Sequence, residues 1–346
     1  MVRDTAAAPV VKKMIKVTAL TGSKNDPSSR FRIRQFIKPL QSLGVQVSEY
    51  CPLISRYKIE PLPWLVAATR LPGLVASRFS DITWLGRELI SGRSSCERFA
   101  GKKRLFDVDD AIWFFYDRDF SAEIVSNCDG VIAGNRFLAE HYEQLGAKVW
   151  LVPTSVDTEM WLPGKSTSEG KWTIGWTGSW ANTRFLYLIE DALAAFLAQH
   201  PDSRFLVVCD RRPELTKLSP ASYEFVPWSM ENEIRLVQEM DVGLMPLEDY
   251  EPARGKCGFK MLSYMACGIP VVVTPVGVNC EILQRGEVGF AATAPDEWFA
   301  ALVDLYDDRA LAARMGTAGR RVVEEHYSVT TNAKLLAEIF RSVLVG

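Results

Sequence analysis

The chain has 346 residues, 48% of them hydrophobic and 24% charged, with a net charge of −2. That length suggests about two domains with real cores, and the near-neutral charge excludes the basic footprint of a general nucleic-acid binder. Seven scattered cysteines without CxxC spacing fit a reduced, cytoplasmic setting, and three distant histidines (His141, His200, His326) argue against a His/Cys metal centre.

Residues 1–13 read as a disordered lead with no signal-peptide core. A buried strand is predicted over 15–20, followed by a loop at 21–29 and a helix over 30–43 that stops at Gly44. In NDPSSRFRIRQF, Ser28 or Ser29 is the expected N-cap, and Arg30 and Arg34 share a face, with Arg32 on another. Arg30 is the residue chosen to meet a donor diphosphate or an anionic acceptor, a solvated helix face being the alternative. A strand follows at 45–50. The segment 61–79 is apolar, with Arg70 and Arg78 as its only charges. It is either a buried helix broken at Pro72 or a surface that touches a membrane or a lipid-linked acceptor. No apolar run reaches the ~18–20 residues that span a bilayer.

A helix near 81–91, strands at 104–108, 129–133 and 148–152, and a helix over 135–145 complete a first set. The Pro-, Ser-, Thr- and Gly-rich stretch 153–171 reads as an interdomain connection. A second set has strands at 172–176, 204–209, 223–226, 241–245 and 270–273, and the chain is mostly helical from Pro295. Such alternation implies α/β architecture: two doubly wound, Rossmann-like domains facing a central cleft, with ligands at the carboxyl ends of the strands.

The stretch RGKCGFKMLSYMACGIPVVVTPVG, 254–277, points most directly to chemistry. A Gly- and Lys-containing loop enters a short helix over 259–267, which Gly268 and Pro270 end before a buried strand. Unpaired N–H groups at a helix start attract anions. The dipole there favours acids, so Lys256 and Lys260 ask for an external anion unless they are simply solvated. Lys256, Lys260 and the backbone of Gly258, Phe259, Met261 and Leu262 are therefore the expected holders of a phosphate group.

FDVDDAIW, 106–113, places Asp107, Asp109 and Asp110 after a strand. One reading is a DxD divalent-metal site. Another is a strand-end aspartate nucleophile of the haloacid phosphatase type. A third is a carboxylate that positions an acceptor hydroxyl or steadies positive charge on a sugar. The plain alternative is helix capping by Asp109 or Asp110. Asp107, if within the strand, should be buried and hydrogen-bonded.

Three segments together resemble the family-4 type of GT-B glycosyltransferases over about residues 14–340: VIAGNRFLAEHY (131–142), VPTSVDTEMWLP (152–163) and MACGIPVVVTPVGVNCEI (265–282). The resemblance implies an acceptor-binding domain over 14–155, a nucleotide-sugar-binding domain over 156–328, and a helix at 329–346 that packs back on the first. It implies sugar transfer from a nucleotide diphosphate sugar to a saccharide, lipid-linked or other acceptor, generally with retention and without a metal or other cofactor. In that frame Asp109 and Asp110 lie near the reacting centre. Gly178, Ser179 and Arg184 follow the first donor-domain strand. Val226, Pro227 and Trp228 contact the base, with Trp228 either stacking on it or packing under the next helix. Glu281 reaches the ribose or is a first-turn acid. Where the family has two glutamates, this chain has Gly255 and Ser263, and no histidine lies in the 106–113 loop. A non-catalytic binding or scaffold protein of a polysaccharide assembly, a sugar-nucleotide epimerase and a metal-dependent transferase remain as other readings. The expected place is the cytoplasm, with peripheral contact at the inner membrane face as an extension.

Overall fold

The structure, a computed structural model, describes residues 14–52, 63–164, 170–219 and 221–345. The lead 1–13, the first two residues of the 61–79 segment and part of the 153–171 connection lie outside them. The chain forms two compact units. Unit 1 comprises Met1–Asp107, Phe120–Val131 and Ala333–Gly346, and unit 2 comprises Val108–Asp119 and Ile132–Asn332.

The first half of the chain supplies six strands: β1 (Ile15–Leu20), β2 (Val45–Tyr50), β3 (Ile82–Gly86), β4 (Arg104–Val108), β5 (Gly130–Ala133) and β6 (Val149–Leu151). Their order in the sheet is β2-β1-β3-β4-β5-β6, and β1 pairs in parallel with both β2 and β3. The helix expected near 81–91 is instead β3. Its sequence, ITWLG, is rich in strand-forming side chains and buried at every position, the signature of a strand covered on both faces. The 30–43 helix exists but is irregular: a π-helical turn at Ser29–Ile33, a 3₁₀ turn at Arg34–Phe36 and an α-helix at Ile37–Ser42. Inside unit 1, Phe340 of the helix Val329–Val345 meets Trp84 edge-on at 5.3 Å, and Arg341 donates to the Leu43 carbonyl at 2.6 Å.

The second half supplies β7 (Trp172–Gly178), β8 (Ser203–Cys209), β9 (Tyr223–Pro227), β10 (Val242–Met245), β11 (Val271–Val273) and β12 (Gly289–Ala291). Their order is β12-β11-β10-β7-β8-β9, and every neighbouring pair is parallel. One apolar cluster holds Tyr264, Met265 and Leu206, and another holds Trp172, Phe196 and Trp298. β12 has no counterpart among the expected strands: its sequence, GFA, lacks the β-branched run that marks β11. Within unit 2 the chain returns to its own start: Val156 N donates to Tyr327 O (2.9 Å), Val329 N to Val156 O (3.1 Å) and Asn332 Nδ2 to Ser155 Oγ (2.8 Å).

Candidate active site

In unit 2 the helix Phe259–Ala266 begins at Gly258, whose φ of +66° lies in the left-handed region that glycine adopts without penalty. No side chain caps this end, so the first-turn N–H groups keep their affinity for an anion. Met261 and Leu262 are fully buried. Their side chains belong to the core, and only their backbone can serve a ligand. Phe259 packs edge-on to Trp161 at 6.1 Å.

The end of β7 meets this helix. Tyr264 Oη accepts from Thr177 N at 2.9 Å, tying the helix to the strand. Lys260 Nζ lies 4.8 Å from the ring centroid of buried Trp176, a cation–π arrangement. A Cβ at Gly178 would stand 2.7 Å from the Trp176 ring and 2.8 Å from Lys260 Cε, so only glycine lets these groups converge. Burial, and secondarily the neighbouring Lys256, push the Lys260 amine down to about 7, against a weaker opposing pull from Cys209. The residue is half-buried, which leaves an anion a way in. Among the described residues, neither Lys256 nor Lys260 forms an ion pair with a carboxylate.

The remaining donor-side residues take varied places. Ser179 is exposed and its Oγ accepts from Asn182 Nδ2 at 2.9 Å. Asp210 Oδ1 accepts from Trp180 N at 2.6 Å, and Arg211 covers the Trp180 ring at 4.6 Å, fastening this turn to the end of β8. Arg184 donates to Tyr250 Oη and lies over the rings of Phe185 and Tyr250. Val226 and half-buried Trp228 pack against the core, which favours the packing role for Trp228 over a free stacking platform. Pro227 is exposed, with its carbonyl accepting from Asn232 Nδ2. Glu281 is exposed in the first turn of Val278–Leu283, the place of a first-turn acid. Ser263 is 1% exposed and donates to Lys260 O at 2.7 Å. At Gly255 a Cβ would come within 2.5 Å of Ala111 Cβ, so the backbone there has no room for a side chain.

Also in unit 2, Asp109 and Asp110 lie beside this loop. Asp109 O accepts from Cys257 Sγ at 3.1 Å, while Asp110 Oδ1 accepts from N of the next residue, Ala111, at 3.1 Å; among the described residues no side chain caps the turn Ile112–Phe115 that follows. Asn135 fastens the same place: its Nδ2 donates to the carbonyls of Gly255 (3.0 Å) and Lys256 (3.2 Å). Its Oδ1 accepts from Leu138 N at 2.9 Å to cap the helix Arg136–Gln144. Sequence reading missed Asn135 as a support of the loop. Its only signal, an Asn before a helix, is that of an ordinary N-cap. His141 stacks on Trp113 with centroids 3.6 Å apart and contacts Asp119 at 3.1 Å. Burial lowers its pKa, partly offset by that aspartate.

Unit 1 holds the other candidates. Asp107 is buried and accepts from Arg32 Nε (2.8 Å) and Trp84 Nε1 (3.0 Å). These bonds use the carboxylate structurally, and among the described residues no cluster of three metal-ligating side chains exists. Arg34 binds Glu49, and Arg30 is half-buried with its guanidinium over Phe31 at 4.6 Å. The expected serine cap is corrected: Asp26 Oδ2 accepts from Ser29 N (3.1 Å) and Ser29 Oγ (2.6 Å). A carboxylate is the stronger acceptor for orphan N–H groups.

Residues 171–308 match the family described as glycosyl transferases group 1. Among solved structures, sucrose-phosphate synthase from Thermosynechococcus elongatus superposes with a TM-score of 0.71 at 16% identity, covering 96% of this chain and 99% of its own. A glycosyltransferase from Rickettsia africae gives 0.70 at 15%, covering 96% and 99%. Anabaena HepE, solved with UDP-glucose, gives 0.69 at 15%, covering 95% and 100%. No curated protein is similar enough to count as a match. At such identities the structures speak to the fold, and the family match speaks to the second half of the chain. Residues 171–308 thus resemble the group 1 glycosyl transferases, and the chain that carries them has the GT-B fold.

Proposed function

We propose that this chain transfers a glycosyl group from a nucleoside diphosphate sugar to a saccharide or lipid-linked acceptor in a cytoplasmic step of polysaccharide assembly, with retention and without a divalent ion. The observation that carries the reading is the pair Lys256 and Lys260 beside an uncapped helix start, with Gly178 leaving room and, among the described residues, no carboxylate neutralising either amine. Positive groups aimed at a departing diphosphate do the work that a metal does elsewhere. Asp109 and Asp110, beside the same loop, are the carboxylates we assign to the reacting centre. The retaining course rests on the resemblance of 152–163 and 265–282.

Uracil is the first base to test, because HepE and the pneumococcal O-GlcNAc transferase GtfA have both been solved with UDP. A thermal-shift panel of UDP, GDP, ADP and dTDP, with and without Mg²⁺, tests the donor site. A ligand at about 100 times its Kd adds roughly 2.7 kcal/mol to the folded state, a shift of a few degrees. A nucleotide shift that survives in Lys256→Ala/Lys260→Ala would remove those lysines from the site.

One observation favours a second reading. Positions 255 and 263 carry no carboxylate, and the backbone at Gly255 leaves no space for one. A binding or scaffold protein would give the nucleotide shift yet neither hydrolyse nor transfer the sugar of the matching sugar nucleotide, whatever acceptor is supplied.

A further inference from the structure

The helices Pro63–Ala68 and Leu71–Ser77 in unit 1, and the turn that follows them, hold several large apolar side chains outward. Trp64 is 62% exposed, Leu65 37%, Leu71 57%, Val75 55% and Phe79 81%. Leu71 and Val75, four residues apart, fall on one face, and Phe79 follows in the turn beyond the helix. The opposite face is committed to the sheet: a Cβ at Gly73 would come within 2.6 Å of Leu20 and 2.8 Å of Tyr50, and Leu74 and Ser77 are buried. Buried Arg70 donates to the carbonyls of Thr21 and Leu89, locking the junction between the helices. The stripe therefore cannot turn inward. Pro72, expected to break one buried helix, instead sits in the first turn of the second, where proline is tolerated.

The turn at 98–103 adjoins the end of this stripe. Gly101 N donates to Ser77 Oγ (2.8 Å), Arg78 donates to Phe99 O (3.4 Å), and Phe99 is half exposed. Residues 63–80 and 98–103 contain no acid. Their exposed charges are Arg78, Arg98 and Lys102. The flanking acids point elsewhere: Asp81 accepts from Lys16 N at 2.8 Å, and buried Glu97 accepts from Leu89 N at 2.7 Å.

We propose that this face docks on an anionic lipid bilayer. Single exposed apolar residues are ordinary, but their concentration on two successive helices points to an interaction surface. An outward tryptophan, aliphatic side chains and a border whose exposed charges in 63–80 and 98–103 are cations match an acyl boundary under negative headgroups. Neither helix is long enough to cross a membrane, so the contact lies in the interface plane. This inference stands apart from the donor chemistry, and its test needs no sugar nucleotide.

The full chain is sedimented with vesicles of phosphatidylcholine alone or of equal parts phosphatidylcholine and phosphatidylglycerol. Pelleting with the anionic vesicles, weakened by salt, is expected. Leu71→Ser/Val75→Ser/Phe79→Ser should reduce partitioning about tenfold or more, with the melting temperature and any nucleotide shift unchanged. Arg78→Glu/Arg98→Glu should remove the preference for anionic lipid. If the triple variant folds poorly, Phe79→Ser alone serves, because that ring makes the least contact with the fold. The proposal is overturned if the wild-type chain stays in the supernatant or if the serine variants pellet like it. It is overturned as well if the wild-type chain is a dimer that these substitutions dissociate, since a second copy then covers the face.

Discussion

Arg32 in the first unit and Lys260 in the second are both cationic side chains folded in beside an indole, yet the protein treats their charges in opposite ways. Arg32 donates to Asp107, which also accepts from Trp84, and the two charged side chains are only 2% and 1% exposed. Lys260 lies over Trp176 with another lysine as its nearest ionisable neighbour of consequence, and its pKa falls to about 7. The first charge is cancelled within the fold. The second has no carboxylate partner among the described residues. A cation near a helix start thus signals a ligand only where the surrounding chain fails to neutralise it.

The comparison can be broken most severely at the neutralised pair. Arg32→Ala leaves Asp107 buried without its counter-charge, and such a loss typically destabilises by about 3–5 kcal/mol. Urea unfolding should show it, while the nucleotide shift of the remaining folded protein persists. Loss of stability together with intact nucleotide binding is the pattern that assigns Arg32 to the fold.

Next in size is the opposite pattern at the lysines. Each charge-assisted contact to a diphosphate is worth about 1.5–3 kcal/mol. Lys260→Met should therefore weaken nucleotide binding roughly tenfold to a hundredfold by titration calorimetry. It should leave the protein folded and somewhat more stable near neutral pH, because a buried amine among like charge is removed.

The pH dependence sharpens the same contrast. The Lys260 pKa is depressed from 10.5 to about 7, so the folded state holds fewer protons than the unfolded chain between those values. Stability from this group therefore rises with pH across that window, and its penalty is fully present below about 7. A bound diphosphate restores the charge. Binding should take up a proton above pH 7, visible as a buffer-dependent enthalpy, and affinity should fall as pH rises toward 10. A buffer-independent enthalpy that persists throughout that window would contradict the role given to this amine.

The smallest effect belongs to Arg34. Its partner Glu49 is at 2.6 Å, but the arginine side chain is about a third exposed. Solvent screening limits such pairs to about 1 kcal/mol or less. Arg34→Ala should shift the melting temperature slightly and leave nucleotide binding untouched.

Much of the framework is legible in the residues. Strands 15–20, 45–50, 104–108 and 203–209 are apolar or alternating runs with clear borders, and the second sheet reads almost strand by strand. Ile82–Gly86 is not legible, because a short, fully buried strand has no alternation to set it apart from a helix. At the candidate site, the sequence singles out the lysines, Gly258 and Gly178, since a cationic loop before a helix has a chemical meaning by itself. Asn135 cannot, because its bonds to Gly255 and Lys256 join positions 120 and 121 residues apart.

Local sequence by itself determined the alternation of strands and helices, the uncapped glycine start of the 259–266 helix and the absence of carboxylates at 255 and 263. Those follow from side-chain period, backbone freedom and residue identity, which need no distant partner. Tertiary structure decided which charges remain available: Asp107 to Arg32, Glu49 to Arg34, Lys260 onto Trp176, and the apolar stripe of 71–79 outward. The reason is that neutralisation and burial depend on what arrives from elsewhere in the chain, and no local pattern records that.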